Sequence, residues 1–265
     1  MALKPATSPA RTAPWRWAWA GACLGLAWAL LVFAPARWLA AALAQASQGQ
    51  VQLADPLGTV WDGSAQLVLS GGKDSRDQAA LPERLRWRLR PSFSGVSADI
   101  LAECCMAQPL QLRAVPHWGG GELTLADSQS HWPAAWLAGL GAPWNTLQPE
   151  GTLTLATQGL VVDLNSGRMQ LSGRAQLEAI DIASRLSTLK PMGSYRVTLA
   201  GGNPNTLQLE TLKGSLQLTG SGQWVGARLH FDGVATAAPD RIDALSNLLN
   251  IIGRRDGARA IIKVG

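Results

Sequence analysis

The stretch LPERLRWRLRP, residues Leu81 to Pro91, decides the fold class of this chain. Leu85, Trp87 and Leu89 alternate strictly with Arg84, Arg86, Arg88 and Arg90. Successive side chains of a strand point to opposite faces, so a period of two makes one face core and the other a row of guanidinium groups. Same-face residues stand roughly 6.6–6.8 Å apart, which makes the four arginines a stripe able to grip an acidic partner face or lipid phosphates bidentately. The plainer alternative is a solvated sheet face whose arginines pair with acids on a neighbouring strand.

Working outward, the same alternation recurs in both directions. GTVWDGSAQLVLSGG from Gly58 is an extended run ending in a glycine turn, and the polar stretch Lys73 to Gln78 reads as a loop. Strands are predicted at Ser94 to Leu101, Leu110 to Val115, Gly121 to Ala126, Gly151 to Thr157, Arg168 to Ile180, Tyr195 to Ala200, Leu207 to Leu212, Leu216 to Val225 and Arg228 to Ala235. Such spacing, with Gly, Asn-Pro and Ser-Gly turns between, predicts a mainly β domain built as an antiparallel curved sheet or meander. Two short helices interrupt it. Pro133 at a first turn, Ala134 to Leu140, then Gly141 and Pro143 predict one; Asp240 as a cap, Ile242, Leu245, Leu248, Leu249 and Ile252 on one face, and Gly253 as a stop predict the other. Ala260 to Val264 adds a last strand.

Upstream, no charged side chain lies between Arg16 and Arg37, and Trp17 to Ala36 is an apolar run of about the length that crosses a hydrocarbon core. Lys4, Arg11 and Arg16 precede it with no acid, which by the positive-inside rule leaves the N-terminus cytoplasmic and the rest across the membrane. Trp15, Trp17 and Trp19 at one end and Trp38 at the other suit the two aromatic belts. The expected organisation is a basic leader (1–16), a transmembrane anchor (17–39), a linker (40–50) and a β-rich domain (51–265). A cleaved signal peptide ending at Ala42-Leu43-Ala44 is the competing layout; the length of the run and the interruption at Arg37 weigh against it.

The net charge of +5 would suggest nucleic acid on its own. Four of the 23 basic groups lie in residues 1–43 with no acid, leaving 19 basic against 18 acidic in the remainder. The basicity therefore orients the membrane segment, and no nucleic-acid partner is expected. Three cysteines build no disulfide framework. Cys23 sits inside the apolar run, while Cys104 and Cys105 are adjacent and cannot share one face of a strand; a vicinal disulfide, a structural pair and reactive thiols are the readings.

His117, His131 and His230 stand in no HExxH, beside no paired carboxylates and near no GxSxG, and Gly119-Gly120-Gly121 lacks the Lys-Ser/Thr ending of a phosphate loop. No catalytic residue, cofactor or metal site is expected. Trp118, Trp132, Trp136 and Trp144 gather around the first predicted helix, either as core or as a contact patch for a partner or the membrane surface.

Four strings together carry a family resemblance: GTVWDGSA at Gly58 to Ala65, LPERLRWRLRP at Leu81 to Pro91, SRLSTLKPMGSYRV at Ser184 to Val197 and NLLNIIGRRDGARAIIKVG at Asn247 to Gly265. In this order and spacing they resemble the type II secretion system protein N family. The resemblance implies a single-pass protein of a Gram-negative inner membrane, without enzymatic activity, whose periplasmic β domain contacts other components of the machine that exports folded proteins through the outer membrane. The family also looks like a distant relative of AsmA-type β proteins, which implies a lipid-binding or lipid-transfer module as the alternative and lipid as an alternative partner.

Overall fold

The structure, a computed structural model, describes residues 15–73, 75–165, 168–226 and 228–265. It divides into two units, residues 1–34 and 35–265. In the first, helix α1 runs Trp15–Val32. Lys4 and Arg11 of the basic leader lie outside the described residues. The span expected as one anchor, 17–39, is not one helix: Pro35 has no N–H to donate and restricts the residue before it, so α1 ends and a second helix, α2 (Ala36–Ala46), begins. Among the described residues no helix is long and apolar enough to cross a membrane. Arg16 and the four tryptophans of α1 lower its apolar average.

The second unit is α2 followed by a meander. Its strands are β1 (Val51–Gly58), β2 (Asp62–Ser70), β3 (Gln78–Ser92), β4 (Gly95–Ala102), β5 (Leu110–His117), β6 (Gly120–Leu125) and β7 (Ser128–Pro133). A 3-10 helix (Ala134–Leu140) and a single turn, α3 (Trp144–Leu147), lead into β8 (Glu150–Asn165), β9 (Arg168–Ala183), β10 (Gly193–Ala200), β11 (Thr206–Gly214), β12 (Leu216–Val225) and β13 (Arg228–Ala237). Helix α4 (Ile242–Ile252), β14 (Arg254–Asp256) and β15 (Arg259–Val264) complete it. One sheet holds all these strands in the order β1-β2-β3-β4-β5-β6-β8-β9-β10-β11-β12-β13-β15-β14, with β7 also paired to β8. Every pairing is antiparallel.

The segment expected as a linker, 40–50, is mostly helix. Leu39, Ala40 and Leu43 of α2 pack on Leu53, Ala65 and Trp87, because an Ala- and Leu-rich segment with apolar residues four apart buries that stripe on the nearest sheet face. Strands β1, β7 and β14 were not foreseen, and β8 continues eight residues past its expected end at Thr157. The cause is a bulge. The β8–β9 register shifts between Gln158 and Val161, which breaks the sequence alternation there. Gly173 faces this bulge at φ +83°, and a Cβ there would lie 2.1 Å from the Gly159 carbonyl oxygen, so only glycine fits.

Because the sheet is a meander, its connections fall alternately at two ends. At one end lie the short links 59–61, 93–94, 118–119 and 201–205, and there β8 passes to β9 and β12 to β13. At the other lie the longest links, including the 3-10 helix with α3, residues 184–192 and α4, together with the short turns at 215 and 257–258. Helices cover one face of the sheet. Leu245 and Leu249 of α4 are fully buried against Met192, Tyr195, Leu216, Ala235 and Ala260. Burying each such leucine contributes roughly 1.5–3 kcal/mol. A third cluster, Leu81, Ala102 and Cys105, packs with Trp132 and Trp136 beside the 3-10 helix.

Candidate functional site

The arginine row lies on the face opposite α2, and its partners come from the flanking strands. Register sets Asp62 opposite Arg88 on β2, and Asp99 opposite Arg88 on β4. Arg86 pairs with Glu103 at 2.8 Å, Arg88 with Asp62 at 3.1 Å and Arg90 with Asp99 at 3.6 Å. Arg84 donates to the Asp55 carbonyl at 2.6 Å and to the Ser64 carbonyl at 3.1 Å. All four guanidiniums are thus engaged within the sheet, and any external anion competes with these contacts. The three ion pairs are mostly exposed and individually weak, so the competition is on nearly even terms.

On the other face of the same strands, the two strings Gly58 to Ala65 and Leu81 to Pro91 form one packing unit. Trp87 lies across Gly63, where a Cβ would come within 2.6 Å of its ring, and its indole N–H donates to the Val60 carbonyl at 3.0 Å. A glycine is required at position 63 because the tryptophan occupies that space.

A second charged group on the outer face was not singled out from sequence. Glu178, Arg196 and Glu210 stand in register across β9, β10 and β11. Arg196 donates to Glu178 at 2.8 Å and to Glu210 at 2.8 Å. Hydrogen bonds to these two carboxylates raise the Arg196 pKa further above its ordinary value. Nearby, the Lys213 ammonium hydrogen-bonds Asp181 and holds its carboxyl below the usual carboxylate range. The sequence signal was present as the alternation around each residue, but which strands are neighbours, and in what register, is set only by the assembled sheet.

The four tryptophans do not form one patch. Trp132 and Trp136 stack with centroids 5.5 Å apart; their N–H groups donate to the Ser130 hydroxyl at 2.8 Å and the Ala79 carbonyl at 3.0 Å. Trp144 is partly exposed at the helix-bearing end, and Trp118 stands fully exposed at the tip of the β5–β6 hairpin, at the opposite end. Cys104 and Cys105 are joined to each other by a disulfide, with Cys105 buried. His117 lies 3.4 Å from Asp163. Among the described residues no three His, Cys, Asp or Glu side chains gather as metal ligands.

The apolar face is not covered uniformly. Toward the helix-bearing end, α4 and its neighbours seal it. Nearer the hairpins, Leu177, Val197, Leu199 and Leu207 remain half-buried, and register places Leu177 opposite Val197, and Leu199 opposite Leu207.

Fold and surfaces define a large antiparallel β scaffold with a zipped polar face and a partly helix-covered apolar one. The family model described as type II secretion system (T2SS), protein N matches residues 49–262, nearly the whole sheet, and the chain belongs to that family. No curated protein and no solved structure matches the chain. Membership makes it a component of the type II secretion apparatus and implies interaction with other components of that machine.

Proposed function

We propose that the chain is held in the bacterial inner membrane by its N-terminal segment, displays its β unit in the periplasm, and serves type II secretion by protein contacts and without catalysis. The observation that carries this is the family match across residues 49–262, which covers the sheet and its helices together. Several features support the topology. The run of about 20 residues without a charged side chain between Arg16 and Arg37, with Trp15, Trp17 and Trp19 at one end and Trp38 at the other, favours it. A disulfide between Cys104 and Cys105 suits an oxidising compartment. The protein-contact surface is the outer face, where the arginine row and the Glu178–Arg196–Glu210 group offer a register of charges that a complementary partner reads.

The test is deletion of the gene with complementation by the full chain. Loss of exoprotein from the medium, its accumulation in the periplasm and rescue by the full chain are expected; undiminished secretion overturns the reading. Carbonate extraction and protease accessibility of the full chain test the topology separately.

One observation favours a second reading, a lipid-contacting sheet. Leu177, Val197, Leu199 and Leu207 form a half-exposed apolar band beyond the reach of the clusters around α2 and α4. Native mass spectrometry of the extracted chain discriminates: a phospholipid that copurifies with the protein and is lost in Leu199→Glu supports the lipid reading.

A further inference from the structure

The hairpin end of the sheet carries a row of outward apolar side chains, two of them in turns and the others at strand ends. Phe93 and Trp118 at the β3–β4 and β5–β6 tips are completely exposed, at 114% and 101%. Leu57, Leu164, Val225 and Val264 are each more than half exposed and lie at or beside the same end. The β10–β11 tip, Gly201 to Asn205, breaks the row. Among the described residues of the β unit, the exposed large apolar side chains remote from this end are Trp144, Leu212 and Ile251. Tight turns ordinarily take polar residues, and Phe93 and Trp118 depart from that pattern at two of them.

The chain itself joins the sheet at this end. Pro35, the first residue of the β unit, bridges Thr59 in the β1–β2 hairpin, and the residue before it belongs to the apolar N-terminal segment. The tips therefore belong to the end of the sheet that is tied directly to the segment proposed as the membrane tether. Arg113, which donates to Ser94 in the Phe93 hairpin at 3.2 Å, and Arg228 in the Val225 hairpin are exposed beside their tips, where cations meet lipid phosphates.

We infer that the hairpin end of the sheet rests in the headgroup region of the membrane, with Phe93, Trp118 and Val225 as separate wedges into the lipid interface. Neighbouring hairpin tips stand roughly 10 Å apart, two strand spacings. A fluid lipid surface closes around each such side chain independently. Aromatic side chains at headgroup depth are the preferred kind. The inference rests on the tether reading and adds an orientation to it: the sheet stands on its hairpin ends, and the helix-bearing end points away from the bilayer.

The experiment places a photocrosslinking benzoylphenylalanine at position 93, 118 or 225 of the full chain in cells, with positions 76 and 185, exposed at the helix-bearing end, as controls. After irradiation, intact-protein mass is read for phospholipid adducts. Adducts at 93, 118 and 225, absent at 76 and 185, are expected. Protein adducts in place of lipid at the tips, or lipid adducts equal at both ends, overturn the inference. Carbonate extraction of the same samples separates the two levels: a chain retained in the membrane without lipid at its tips refutes the docking alone, and a chain released into the soluble fraction refutes the tether and the docking together.

Discussion

Replacing Leu245 by alanine tests whether α4 is a structural seal on the sheet. Leu245 is fully buried against Met192, Tyr195, Leu216, Ala235 and Ala260, with Leu248 and Leu249 beside it. The substitution removes three carbons, worth about 0.8 kcal/mol each, or about 2.4 kcal/mol of transfer free energy. The packed neighbours come from several strands and relax only in part, so a cavity cost is added and the expected loss is about 3–4 kcal/mol, within the roughly 2–5 range for such sites. Ile251 lies on the same helix but is 42% exposed, and Ile251→Ala is expected to cost less than about 1 kcal/mol because little surface leaves water there. Urea unfolding of the full chain in detergent, followed by far-ultraviolet circular dichroism, gives both midpoints. Equal costs for the two variants, or a loss below about 1 kcal/mol for Leu245→Ala, would refute the packing argument.

Tyr195, the sole tyrosine of the chain, has its hydroxyl buried with no hydrogen-bond partner among the described residues. Tyr195→Phe is expected to stabilise by about 1 kcal/mol, since it removes an unsatisfied polar atom and keeps the ring. Burial pushes the Tyr195 pKa up, so above the ordinary tyrosine value of about 10 the unfolded chain loses a proton that the folded chain keeps, and stability falls as pH rises. That alkaline loss should disappear in Tyr195→Phe, and the phenolate absorbance of the folded wild type should not develop near pH 10; a normal titration there contradicts the burial. Arg86→Gln with Arg88→Gln should shift stability by less than about 1 kcal/mol per pair, because both ion pairs are exposed, while impairing secretion if this face docks a partner; unchanged export with a folded protein removes the docking role. Alkylation of the denatured, unreduced full chain should modify Cys23 alone, and reduction should release Cys104 and Cys105; three reactive thiols before reduction would contradict the pairing.

Strand identity was legible wherever one face meets core and the other water. Arg84 to Arg90 and Leu216 to Val225 alternate cleanly, and β12 has its expected bounds. Legibility failed where something other than alternation decides the backbone. At Gly159 a bulge resets the phase, so Leu160 to Asn165 did not read as part of β8. Near Pro35, an apolar run that composition makes continuous is divided by one missing N–H, and the residues beyond it fold onto the sheet as α2. Around Trp132, two tryptophans stack beside a 3-10 helix while Trp118 stands at the far end of the sheet, because closeness in a meander's sequence does not imply the same end. The arginine stripe was visible from spacing alone, but its acid partners are contributed by β2 and by β4 with the link that follows it, and emerge only from register.

The asymmetry between the two ends follows from how the chain spends its connections. At the helix-bearing end several links are long enough to fold back over the apolar face, and the 3-10 helix, residues 184–192 and α4 bury Leu81, Met192 and Leu245 there. At the hairpin end the links are mostly two or three residues, too short to cover anything, so the leucines of β9 to β11 stay half-exposed and the tips face outward. A water-exposed edge under selection for solubility alone would place charges or turn-forming polar residues at such tips. Phe93 and Trp118 do the opposite at two adjacent hairpins. The proposed membrane docking accounts for both features at once: a lipid surface would receive the tip side chains and lie close to the uncovered part of the apolar face. On this argument the half-exposed band and the tips share one cause, and lipid adducts should extend from positions 93 and 118 to position 199 but not to Ala235, which lies under α4.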